Sequence, residues 1–163
     1  MGLPYAWPSS RTSSDRVANR PRRLLIGEGA GIGPTLFLAE QMRAKDGLAA
    51  TGPWKPLVLL GSDTPFPFRP RPSVIVVPGI PTGVIACMPL LEDWSVASRL
   101  ASTLDLPGCF EGSVIALAES WLSTLTPQEL AEVEIFPNGT ALLVQEAARL
   151  AAHFAIRCLT PSV

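Results

Sequence analysis

Short apolar runs, separated by stretches rich in glycine and proline, set the first expectation for this chain. They are Leu24-Leu25-Ile26 after Arg22-Arg23, Pro56-Leu57-Val58-Leu59-Leu60, Val74-Ile75-Val76-Val77, Glu134-Ile135-Phe136 and Ile156-Arg157-Cys158-Leu159, with Val84-Ile85-Ala86-Cys87 as a further short candidate. Such runs suit strands buried on both faces, as in a parallel sheet covered by helices. Between them, helix signals start at Pro34, with Leu36, Phe37, Ala39 and Met42 as a core face and Gly47 as the stop. Further helices are expected from Asp93 through Leu104, from Glu111 or Gly112 to about Leu122, and from a cap at Asn138 to about Phe154. Residues 64–73 carry Pro65, Pro67, Pro70 and Pro72, which rule out a regular helix.

Strands alternating with helices predict an α/β fold: a doubly wound open parallel sheet of about five strands, with residues 22–26 central and helices on both faces. Residues 1–21 read as an N-terminal arm or linker, and 22–163 as one domain. A chain of 163 residues has room for one such core.

Composition narrows the function classes. With 47% hydrophobic and 17% charged residues and a net charge of −1, the chain reads as globular and lacks the basic footprint of a nucleic-acid binder. The small basic groups, Arg20, Arg22 and Arg23, then Arg69 and Arg71, read as solvated surface. No apolar run approaches the roughly 18 residues that cross a bilayer. The first twenty residues have no signal-peptide core, so the expectation is a cytoplasmic protein without membrane contact. Cys87, Cys109 and Cys158 are odd in number and form no CxxC pair. They read as buried thiols of a reducing compartment, and no metal site is expected.

The chemistry-bearing stretch is Gly27-Glu28-Gly29-Ala30-Gly31-Ile32-Gly33, placed between an expected strand and an expected helix. Glycines there permit a tight turn and close backbone approach, and a helix N-terminus offers N–H groups to a pyrophosphate. A plain tight turn is the competing reading, because the spacing is not GxGxxG and no acidic residue closes the second strand about twenty residues on. The longer string from Leu24 through Pro34-Thr35-Leu36 resembles the GGGxGIxP-type phosphate turn of the ferredoxin–NADP reductase superfamily. Leu57 to Ser62 is similar to that family's second strand. Pro107 to Val114 resembles a segment of dihydroorotate dehydrogenase electron-transfer subunits, and Glu134 to Pro161 the closing strand, turn, helix and strand.

That resemblance implies a ferredoxin reductase-like, Rossmann-like NAD(P)-binding domain. Its site would be Gly27, Gly29, Gly31, Ile32, Gly33, Pro34 and Thr35 around the pyrophosphate, Gly61 and Ser62 toward the adenosine, and Asn138, Gly139 and Thr140 toward the nicotinamide. The departures are specific. The family's Cys-Gly-Pro turn stands here as Pro137-Asn138-Gly139, Leu142 and Leu143 replace a common methionine, and neither a flavin barrel nor a cysteine-rich tail is present in the sequence. NAD(P)H is therefore the expected cofactor, with no flavin or iron–sulfur cluster in this chain, and any catalytic residue is unknown. Hydride chemistry would need a flavin on a partner protein.

Other residues have plainer readings. Arg69 and Arg71 suit a solvated loop, or else a ribose 2′-phosphate; His153 suits an exposed or carbonyl-capping position; Trp94 and Trp121 suit core anchors or, less simply, a flavin platform. Two functions stay open: a nucleotide-binding oxidoreductase component, or a non-catalytic interaction or regulatory domain that keeps the fold. A homodimer is expected on either, with Tyr5 and Trp7 of the arm covering apolar surface.

Overall fold

The computed structural model describes residues 22–46 and 55–159. Strand β1 (Arg22–Glu28) leads through a 3-10 turn, Gly29–Gly31, into helix α1 (Ile32–Asp46). Strand β2 (Lys55–Ser62) is followed by a proline-rich loop holding two two-residue strands, β3 (Arg71–Pro72) and β4 (Ala86–Cys87). Then come α2 (Pro89–Asp93), β5 (Ala97–Ser102), β6 (Phe110–Glu111), α3 (Val114–Leu122), α4 (Pro127–Leu130), β7 (Val133–Asn138), α5 (Ala141–Phe154) and β8 (Arg157–Cys158).

Six of the strands form one sheet in the order β6-β5-β2-β1-β7-β8, and every pair in it is parallel. The expected count of about five is thus corrected to six, the edge strands β6 and β8 having only two residues each. β1 is central, as its uninterrupted apolar run required.

Successive side chains of a strand point to opposite faces, and the core divides accordingly. Leu24, Ile26, Leu57, Leu59, Val133 and Ile135 pack beneath Leu117, Trp121 and Leu122 of α3 and Leu143, Ala147 and Leu150 of α5. Leu25, Val58, Leu60, Leu100 and Phe136 pack beneath Leu38, Ala39 and Met42 of α1. Both faces of the sheet are therefore covered by helices, as in a doubly wound α/β fold.

Three expectations fail. Residues 93–104 are not a helix: α2 ends at Asp93, and Ala97–Ser102 is the third long strand of the sheet. Its buried polar residues find partners: Ser98 Oγ accepts from Met88 N at 3.0 Å, and Arg99 donates to the Ser98 and Ile75 carbonyls at 2.6 Å each, while its Nε has no partner among the described residues. Residues 74–77 are not a strand either; Val74 and Val76 are 88% and 85% exposed. Between Pro72 and Pro78 the segment finds no sheet neighbour, and Glu92 holds it by accepting from Val74 N at 2.7 Å and Ser73 Oγ at 2.8 Å. Helix α5 is capped by Thr140, whose hydroxyl accepts from Leu143 N at 3.1 Å, two residues beyond Asn138, which is the last residue of β7. The stop expected at Gly47 and the arm 1–21 lie outside the described residues.

Candidate functional site

The chain runs outward from β1 through β2, β5 and β6 on one side, then returns to lay β7 and β8 on the other. The strand order reverses between β1 and β7, so the turns leaving these neighbours lead to helices that diverge onto opposite faces. In open parallel sheets, the gap opened in this way beyond the carboxyl ends of the strands is where ligands bind. Here it is a crevice of about 450 Å³ lined by Glu28, Gly29, Ala30, Gly31, Pro34, Asp63, Thr64, Asn138, Gly139 and Thr140.

Glycines bring the two turns together. A Cβ on Gly31 would stand 2.5 Å from the Asn138 carbonyl carbon and 2.8 Å from the Gly139 nitrogen, so the main chains touch with no room for a side chain. Gly29 takes a φ of +57°, the left-handed region, and a Cβ on it or on Gly33 would meet nothing within 4 Å. The start of α1 thus presents bare main chain to solvent. From the opposite face α5, a helix of 14 residues, begins at the same crevice after its Thr140 cap. Two helices of this length aim their N-terminal, partly positive ends at one space.

Of the residues expected at a nucleotide site, Gly29, Gly31, Pro34, Asn138, Gly139 and Thr140 line the crevice. The remainder stand elsewhere. Thr35 is fully buried, donates its hydroxyl to the Gly31 carbonyl at 2.7 Å and fills the space above Gly27. Ile32 is buried in the core beneath α1, and its N–H is spent on the Gly29 carbonyl. Gly61 faces α3, where a Cβ would lie 2.8 Å from Val114 Cβ. Ser62 accepts from Thr64 N at 3.1 Å. Gly33 is exposed at the first turn of α1, outside the crevice lining.

Asp63 and Thr64 are the residues that sequence spacing missed. They follow the glycine turn by too long an interval for the fingerprint rule, yet the parallel register Glu28↔Gly61 sets the end of β2 beside the end of β1. The signal was the glycine after an apolar strand, which marks where β2 stops. Their arrival makes the crevice acidic. Burial pushes the Glu28 carboxyl above its ordinary range, and Asp63 and Glu146 push it further the same way. Among the described residues no lysine, arginine or histidine lines the crevice.

A second recess, of about 650 Å³, opens beside it under the proline-rich loop, lined by Pro65, Phe66, Pro67, Phe68, Arg69, Pro70, Leu106, Pro107 and Cys109. Phe66 and Phe68 stack there with ring centroids 5.2 Å apart. Arg69 is exposed at its rim, whereas Arg71 is committed to Asp93 at 2.7 Å. His153 is exposed in the last turn of α5 and Trp121 is buried in the core, its indole donating to the Pro78 carbonyl at 3.2 Å. Cys87 is buried, Cys109 and Cys158 are half-buried, and all three are free thiols. Among the described residues no helix is long and apolar enough to cross a membrane.

No family model matches this chain, and no curated protein matches it as a relative.

Proposed function

We propose that the chain is a nucleotide-binding module for NAD(P)H, acting as the nucleotide half of a reductase or electron-transfer system whose flavin is carried by a partner protein. The observation that carries this reading is the Gly31–Asn138 contact. It closes the floor of a switch-point crevice with bare main chain, and two long helices begin on its two sides. A pyrophosphate suits such a floor, because N–H groups and helix ends can approach it without a side chain between. The open surfaces at Gly29 and Gly33 fit the same group. In this reading the nicotinamide end lies toward Asn138, Gly139 and Thr140, and the adenosine end toward Phe66, Phe68 and Arg69. Arg69, without a carboxylate partner among the described residues, favours a 2′-phosphate at that end, hence NADPH. The chain's own part is binding and orientation; NAD(P)H supplies hydride when bound, and the fold family's acceptor is a flavin.

One observation favours the other reading, an interaction domain that keeps the fold. Glu28 and Asp63 line the crevice, with no basic side chain among the described residues to balance a diphosphate. Calorimetry with NADH and NADPH, with free flavin titrated beside them, separates the two. Saturable heat with a nicotinamide dinucleotide below millimolar concentration supports the module; no heat from either at millimolar concentration moves the protein to the interaction class.

A further inference from the structure

The switch-point crevice joins two opposed kinds of group. The helix ends and the glycine turn favour an anion. Glu28 and Asp63 repel one, and among the described residues no basic side chain lines the space between. A diphosphate placed there alone would meet two carboxylates with no cation to offset them.

Resting on the nucleotide-binding reading above, we infer that the crevice takes its diphosphate together with a divalent cation, which bridges the carboxylates of Glu28 and Asp63 to the phosphate oxygens. The donor set suits this chemistry. Magnesium prefers hard oxygen ligands in an octahedron and is commonly held by one or two carboxylates, substrate phosphates and water rather than by a complete protein cage. Two crevice carboxylates supply that share and no more, and among the described residues no group of three or more acidic, histidine or cysteine side chains gathers to hold a metal unaided. The Thr64 hydroxyl stands on the same wall.

A further observation points to a ligand at this place. Asn138 lines the crevice from the end of β7, is only 4% exposed, and its side-chain Nδ2 has no hydrogen-bond partner. An orphaned buried amide donor carries a free-energy cost, and native structures rarely keep one without a use. A phosphate oxygen held against that wall would give the donor a partner.

The cation and the nucleotide then bind as a pair, each raising the affinity of the other by one shared factor. The test is isothermal titration of ADP and of NADH into the whole chain, in magnesium chloride and in EDTA at matched ionic strength, with magnesium alone as a third titration. Magnesium is expected to tighten binding by about tenfold or more, and magnesium alone to bind weakly. In Glu28→Gln/Asp63→Asn the magnesium effect disappears, while nucleotide binding in EDTA becomes tighter than in the parent, because two repelling charges have gone. Nucleotide affinity that is equal with and without magnesium overturns the cation and leaves the nucleotide reading standing. Absence of binding under every condition overturns both. Strong binding of magnesium alone overturns the pairing, since it would show a complete metal site.

Discussion

Gly31 rests on the main chain of Asn138: a Cβ there would lie 2.5 Å from the Asn138 carbonyl carbon. The glycine turn after β1 and the turn after β7 are consequently one packed unit, and the glycine serves the fold as much as any ligand. Gly31→Ala should cost about 3 kcal/mol or more, because the intruding methyl meets backbone that cannot swing away. Gly33→Ala, where nothing lies within 4 Å and the residue is already helical, should be neutral or stabilising by about 0.5–1 kcal/mol. Gly29→Ala falls between, at about 1–2 kcal/mol, through its positive φ alone. Urea unfolding of the three variants checks the order, and a Gly31→Ala midpoint equal to that of Gly33→Ala would contradict the packing.

Glu134 offers a second test. Its side chain is 1% exposed, its register partners are Arg23 on β1 and Arg157 on β8, and Arg157 Nη1 lies 3.6 Å from its Oε1. Arg23 is itself only 5% exposed. Glu134→Gln should therefore lower stability by about 1–3 kcal/mol, the range for disturbing a buried polar partner. Arg157→Gln should cost less, since that arginine is half-exposed and the Arg23 neighbour remains. Chemical denaturation of both variants reads the difference.

The sequence made β1, β2 and β7 legible because they lie inside the sheet and run apolar along their length. It misled at β5, where Ser98, Arg99 and Ser102 break the run. They find partners at Met88, Ile75 and Leu104, contacts that only the folded chain provides. At 74–77 the error was reversed: four apolar residues in a row lack a strand partner because prolines hold them in a loop. The glycine turn was readable from its strand-turn-helix context. Asp63 was not, since its place beside Glu28 follows from register between strands far apart in the chain.

Acidification should release the loop that carries Val74. Burial alone would raise the Glu92 carboxyl, but the hydrogen bonds from the Val74 N–H, the Ser73 hydroxyl and the Cys87 thiol outweigh it and leave the group below its ordinary value. A lowered folded pKa gives stability that is present above the ordinary carboxylate value and is lost as pH falls through the lowered one. Amide exchange at Val74, corrected for intrinsic pH dependence, should accelerate over that range in the parent and already be fast in Glu92→Gln. A pH-independent protection in the parent would contradict the latch.

At high pH the thiols dominate. Burial pushes Cys158 up to about 11 from 9.0, and Cys87 and Cys109 also shift upward, mainly through burial. Stability from the neutral Cys158 thiol is complete below pH 9.0 and is lost as pH rises through about 11. Cys158→Ala should flatten the fall in melting temperature across that interval. The folded protein at pH 9.0 should also alkylate at Cys158 more slowly than the same chain in urea.

The central claim is that nucleotide binds where β1 and β7 part. Backbone amide shifts on titrating NADPH in magnesium into isotope-labelled protein test it directly. The account predicts saturable changes at Gly29 to Gly33 and at Asn138 to Leu142, with a second group at Phe66 to Arg69. Changes confined to other surfaces, or none at millimolar nucleotide, would contradict it.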